Sequence, residues 1–230
     1  MKITAIALDD EPAALELIRM HAKLIPFIDL RASFLSAEEA WGYLMTHPVD
    51  LVFLDIEMPV MHGTQLASSL QHLNKRFVFT TAHPQYAIEG FDLQALDFLL
   101  KPISFERFFQ ACNRAFRILS LEKGHSSGFF VKDGYDWVKV QIDEVSHLQS
   151  DGNLLYIYQR NGKRISTRMT LQDMLNTLPV DLFLRVHKSF VVAVKAVKKI
   201  ERHQLTLDDV TVPLASSYRD QVLSRLISVL

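Results

Sequence analysis

Short apolar runs recur through the first half of the chain, at residues 3–8, 28–34, 51–54, 77–79 and 98–100. Stretches with helical periodicity separate them. The clearest places Phe105, Phe108, Phe109, Cys112, Phe116 and Leu119 on one face, at spacings of three, four and seven. Five strands alternating with helices predict a parallel sheet with right-handed crossovers, and Cys112 is expected as a small core residue. The segment "EKGHSSG", residues 122–128, breaks both periodicities and marks a boundary. Beyond it, "FFVKD", "DWVKVQI", "NLLYIYQR", "KRISTRM", "FLRVHKSFVVAV", "QLTLDD" and "VTVPL" read as short strands separated by Asp-Gly, Asn-Gly and Asp-Asp turns. Helix is expected there only over 171–178 and 216–227. The pattern gives a domain over 1–122, a linker over 123–128, and a mainly antiparallel β domain over 129–230.

Composition adds little to the fold and something to the partners. Nearly half the 230 residues are hydrophobic and 22% are charged, as in soluble globular proteins. A single cysteine excludes an internal disulfide framework, and no apolar run approaches membrane-spanning length, so a soluble, cytoplasmic protein is expected. The net charge of −1 conceals an asymmetry: residues 1–122 carry 10 Lys+Arg against 15 Asp+Glu, and residues 123–230 carry 15 against 11. A basic second half suits a polyanionic partner.

The ends of the predicted strands carry the chemistry. In an open parallel α/β sheet, ligands bind at the carboxyl ends of the strands. The first strand here ends in Asp9-Asp10, the third in Asp55, the fourth in Thr80-Thr81-Ala82, and the fifth in Lys101-Pro102. Three carboxylates drawn together repel by about 4 kcal/mol per pair at 4 Å and an effective dielectric near 20. A hard divalent cation such as Mg²⁺ relieves that repulsion. One carboxylate is then free to take a phosphoryl group as nucleophile, with Lys101 and Thr81 as suitable partners for its oxygens.

These residues carry a resemblance. "LDDEP", "LDIEMPVMHG", "TTAH" and "DFLLKP" follow one another as they do in the receiver domains of bacterial response regulators. The resemblance covers residues 1 to about 122 and implies a flavodoxin-like fold with strand order 2-1-3-4-5. It makes Asp55 the phosphoacceptor, supplied by a histidine kinase. It also implies that Asp10 binds Mg²⁺ directly, Asp9 through water, and the backbone carbonyl of Glu57 as a further ligand. Lys101 would pair with the phosphate, Thr81 would turn toward it, and Phe98 would be the aromatic switch. The Lys101–Pro102 bond would be cis.

The β-rich half holds no enzyme constellation. Its histidines, His125, His147 and His203, are expected at the surface or in turns. His187 stands apart, clustered with Arg185 and Lys188 between apolar runs, where cationic side chains on β elements can reach phosphates or groove edges. Residues 129–228 resemble the LytTR family of DNA-binding domains through "IDEVSHLQSDGNLLYIY", "LQDMLNTLP", "FLRVHKSFVV" and "VTVPLASSYRD". The likeness implies contacts to double-stranded DNA, at paired promoter repeats, from Asn153, His187, Lys188 and the loop at Ser216, with Arg185 and Arg219 as further candidates. The chain departs from the family at Ala193, where asparagine is common, and at Ser216 and Ser217, where an arginine is common.

Together the two resemblances imply a two-component response regulator: a phosphoaccepting switch, not an enzyme, that is phosphorylated on Asp55, forms a homodimer and binds DNA. Phe98 would carry the change to the surface made by the helix before the fifth strand, that strand, and the helix after it. Two rival readings stand beside this one. A phosphatase of the haloacid dehalogenase type would need an Asp-x-Asp pattern after the first strand, and the chain has Asp9-Asp10. A protein-docking role for the second half is disfavoured by its basic excess.

Overall fold

The computed structural model describes residues 1–59, 63–70, 75–85, 95–124, 127–208 and 210–227, the side chains of 70 and 227 aside. The chain divides into two units, Met1–His125 and Ser126–Leu230.

In the first unit the elements run β1 (Ile3–Leu8), α1 (Pro12–Lys23), β2 (Ile28–Phe34), α2 (Ala37–Thr46), β3 (Leu51–Asp55), α3 (Gly63–Leu70), β4 (Arg76–Thr81), β5 (Asp97–Leu100) and α4 (Phe105–Glu122). All strand pairs are parallel and their order is β2-β1-β3-β4-β5, the flavodoxin-like arrangement. The crossover expected between β4 and β5, and with it the helix before the fifth strand, falls on residues 86–94, outside the described residues. Strand β3 is buried along its whole length, as a continuous apolar run demands of a central parallel strand. Its side chains alternate between two cores. Phe53 stacks on Phe108 of α4, 4.8 Å between rings, while Val52 and Leu54 join Ala40 and Leu44 of α2 and Leu66 and Ala67 of α3. Helix α4 starts where Ser104 Oγ accepts the Arg107 N–H (3.3 Å), and its predicted stripe, Cys112 included, is buried except for the half-buried Phe105.

The second unit is mainly antiparallel. Strands β8 (Val145–Asp151), β9 (Leu154–Gln159), β10 (Arg164–Thr167), β11 (Phe183–His187) and β12 (Phe190–Ala193) form a sheet of order β10-β9-β8-β12-β11. A hairpin pairs β6 (Gly128–Asp133) with β7 (Asp136–Gln141), and β13 (Lys199–Ile200), β14 (Gln204–Thr206) and β15 (Thr211–Pro213) make a three-stranded sheet. Helix α5 (Leu171–Thr177) and helix α6 (Ser216–Ile227) complete the unit. Leu148, Leu155, Ile157, Val186 and Val191 are fully buried in its core, which Met174 and Val222 join from the helices.

Two expectations need correction here. "FLRVHKSFVVAV" is not one strand but two, folded back at Lys188–Ser189 so that Arg185 faces Val191 and His187 faces Phe190. Strand β8, the centre of the sheet, was not expected as a strand. Its sequence VSHLQSD is largely polar, yet Ser146 and His147 are buried between β9 and β12. His147 is therefore an interior residue and not a surface one.

Candidate functional site

Strand register assembles the first site. Leu8 of β1 lies opposite Leu54 of β3, so Asp9 and Asp55, one residue further on each strand, come side by side. Asp55 lies opposite Thr80, and Thr81 opposite Leu100, which brings Lys101 to the same edge. Asp9, Asp55 and Thr81 are buried and Asp10 is half-buried.

Lys101 Nζ donates to Asp55 Oδ2 at 2.9 Å and to Asp9 Oδ1 at 3.2 Å. Glu11, which the sequence reading did not single out, also reaches this ammonium at 3.4 Å and donates its backbone N–H to Asp9 Oδ1 at 3.1 Å. Its only signal in the sequence is its place as a third acid in "LDDEP". Burial holds the carboxyl groups of Asp9 and Asp55 above the usual carboxylate range, against the pull of Lys101, and Asp9 adds repulsion at Asp55. The ammonium, facing two carboxylates, is held above the usual lysine range in spite of its own burial. Lys101 thus stands against three carboxylates, those of Asp9, Glu11 and Asp55.

The pocket fits a further cation. Carboxylate oxygens of Asp9, Asp10 and Asp55 lie within 4.8 Å of one another. Asp9 Oδ2 is fully buried and has no hydrogen-bond donor, though Lys101 Nζ stands 2.9 Å away out of hydrogen-bond alignment. An all-oxygen donor set, with one buried oxygen that accepts no hydrogen bond among the described residues, suits a hard divalent ion such as magnesium.

The remaining expected residues surround this edge. Thr81 Oγ1 accepts the backbone N–H of His83 at 3.0 Å. Phe98 is half-buried against Phe79, 5.3 Å between rings, and packs on the core that contains β3. Glu57 donates its backbone N–H to Asp55 Oδ1 (3.3 Å), and its carboxylate meets His83 Nε2 at 3.3 Å. Gly63 closes the loop after β3: its N–H donates to Ile56, and a Cβ there would stand 2.0 Å from the carbonyl oxygen of Asp55. Only glycine permits so close an approach. The Lys101–Pro102 bond is cis.

In the second unit, topology gathers four of the six residues at one end of the sheet. Strands β8 and β9 meet in a two-residue turn, Gly152–Asn153, with Gly152 at φ 57° and Asn153 exposed. Strand β12 runs antiparallel to β8, and Ser150 donates to the Ser189 carbonyl at 2.9 Å, so the Lys188–Ser189 turn lies beside that hairpin end. The N–H of Ala215 donates to Val186 at 3.0 Å, which sets the start of α6, and exposed Ser216, next to β11. Asn153, His187, Lys188 and Ser216 therefore share an end. Lys188 is exposed, whereas the His187 ring accepts the Ser189 N–H at 3.2 Å.

The two arginines differ from these four. Arg219 donates to the carbonyls of Glu201 (3.0 Å) and Arg202 (2.6 Å), in the turn between β13 and β14. Arg185, half-buried, donates to the Lys188 carbonyl in the β11–β12 turn and to Gln172 of α5. Ala193, the departure from the family pattern, is buried at the far end of β12.

Known proteins resemble the chain in both halves. Residues 5–113 match the response regulator receiver domain, and residues 135–227 match the LytTr DNA-binding domain. An uncharacterized response regulatory protein of Vibrio cholerae is 31% identical over 231 residues, covering 86% of this chain and 87% of the relative. The transcriptional regulatory protein LytR of Staphylococcus aureus is 27% identical over 213 residues, 86% of each. Among solved structures, the REC domain of AraT, a response regulator of Geobacillus stearothermophilus, matches 54% of this chain and 99% of its own, with 27% identity and a TM-score of 0.49.

Proposed function

This chain belongs to the response regulators that join a receiver domain to a LytTR DNA-binding domain, and from that premise we propose that Asp55 accepts a phosphoryl group and thereby controls DNA binding by the second unit. It is a two-component response regulator acting as a DNA-binding transcription regulator, not an enzyme. The observation that carries the reading of Asp55 is its pairing with Lys101 at 2.9 Å, beside Asp9 and Asp10, at the carboxyl edge of a parallel sheet.

Asp9, Asp10 and Asp55, with the backbone carbonyl of Glu57, would hold magnesium, which when bound supplies positive charge to phosphoryl oxygens. Asp55 is the nucleophile. Its carboxylate oxygen bonds to phosphorus as the bond from phosphorus to the kinase imidazole nitrogen breaks, and that nitrogen regains its electron pair. Lys101, already aimed at Asp55, then donates to the transferred group. The Thr81 hydroxyl, engaged by the N–H of His83 in the present state, turns to the phosphoryl oxygens. That movement opens space for Phe98 to turn inward from Phe79 and alters the surface around β5.

The altered surface brings two copies together, and the dimer presents two β units to paired sites in duplex DNA. Asn153, His187, Lys188 and Ser216 would face the DNA, and the basic excess of the second half supports a polyanionic partner. The place of action is the cytoplasm, where kinase and chromosome are both within reach.

Labelling with acetyl phosphate tests the central residue. Asp55→Asn is expected to abolish uptake of the phosphoryl label while the protein stays folded. Uptake at the original rate would overturn the assignment.

A further inference from the structure

The guanidinium of Arg185 is engaged on several sides. Its Nη2 donates to the carbonyl of Lys188 at 3.0 Å, in the turn between β11 and β12, and its Nε to that of His187 at 3.4 Å, the last residue of β11. Its Nη1 donates to Gln172 Oε1 of α5 at 3.1 Å. The ring of Tyr218, in the first turn of α6, has its centre 5.9 Å from the central carbon of the guanidinium. A planar fork with five N–H donors can hold several acceptors in fixed directions, where an ammonium acts as a point charge.

These partners all belong to pieces of the end that carries Asn153, His187, Lys188 and Ser216. The strand pairing is irregular here, with a shift between Arg185 and His187, so the ladder alone does not fix the turn. The carbonyls at the end of β11 and in the turn are instead held by one side chain, which also reaches α5 and lies against the ring in the first turn of α6. Three of its five N–H donors are thus committed to Lys188, His187 and Gln172, and these bonds hold the guanidinium in place against the protein.

We infer that Arg185 is a positioning residue for DNA recognition: it locks the turn bearing His187 and Lys188 to the start of α6 and does not itself touch DNA. This rests on the DNA-binding reading given above. A cation that neutralises a phosphate and a cation that only shapes the protein leave different signatures. Each phosphate neutralised releases counterions and adds about 0.9 to the slope of log affinity against log salt, and a brace adds nothing to it.

The test uses the intact chain and a duplex that it has selected from random sequence, titrated over a series of salt concentrations. Arg185→Gln and Arg185→Lys are each expected to weaken binding by about tenfold, the equivalent of ~1.4 kcal/mol, at the slope of the unaltered protein. Lys188→Gln, made in parallel, is expected to reduce the slope by about one. Restoration of full affinity by Arg185→Lys, or a slope reduced by about one in Arg185→Gln, would overturn the inference. Near-UV circular dichroism and thermal midpoints report folding separately. Should the Arg185 variants not fold, Tyr218→Leu takes their place, since it removes the ring beside the guanidinium and leaves every cation present. Weaker binding at an unchanged slope then supports the brace, and unchanged affinity overturns it. An unaltered chain that binds no duplex at all overturns the DNA-binding reading itself, and this inference with it.

Discussion

Gly63 shows how closely the chain is fitted around Asp55, the proposed phosphoacceptor. A single methyl group placed there would meet the Asp55 carbonyl at 2.0 Å, and the atom in its way is backbone, which cannot rotate aside. Gly63→Ala must shift the loop after β3 or the end of β3 itself. A loss of roughly 2 kcal/mol or more in denaturant unfolding is expected, from the class of substitutions that force backbone strain, together with slower labelling of Asp55 by acetyl phosphate. Normal stability and labelling would mean that the loop yields more easily than its contacts suggest. The sequence "LDIEMPVMHG" displays this glycine, but the reason for it emerges only when the loop returns to Asp55. The same holds for Glu11. Its place as a third acid was visible, whereas its approach to Lys101 depends on β1 and β5 ending at the same edge.

At the scale of elements, legibility followed the contrast between apolar and polar positions. The strands of the first unit are apolar runs set between amphipathic helices, and the sequence ranges for β1 and β2 coincide with the observed strands. Strand β8 offers no such contrast because Ser146 and His147 are buried in it. The signal that could have found it was its position before the Asp-Gly turn, as the missing partner of β9. A buried imidazole has a consequence for the strand. His147 stacks on Tyr158 across the β8–β9 pair, 4.3 Å between rings with 7° between planes, and burial pushes its pKa down to about 4. The folded unit keeps this ring neutral, while an unfolded chain protonates it below about 6.5. Stability is accordingly complete above about pH 6.5 and falls as pH drops toward 4, by at most about 3.5 kcal/mol at ~1.4 kcal/mol per pKa unit. Denaturant unfolding over that range should show the loss, and His147→Phe, which keeps a ring but cannot titrate, should remove most of it. An unfolding curve equally pH-dependent in the variant would place the titrating group elsewhere.

For the molecule as a whole, the two units answer to different chemistry. The first half is acidic and presents three carboxylates and one lysine; the second is basic and presents two turns and a helix start. Phosphorylation is expected to raise both the sedimentation coefficient and the affinity for a selected duplex, and Asp55→Asn should lose both responses. A donor-treated protein that sediments and binds as before would break the link between the units and leave each with its own activity. The first site draws on residues 9, 10, 55, 81 and 101, joined by strand register and not by nearness in sequence. On the proposed reading of Asp55, a growing polypeptide on the ribosome is therefore deaf to the kinase until β5 has emerged and docked. By the same reading, any lesion that loosens this sheet would silence the signal before it could be misread, so responsiveness would double as a certificate that the receiver has folded.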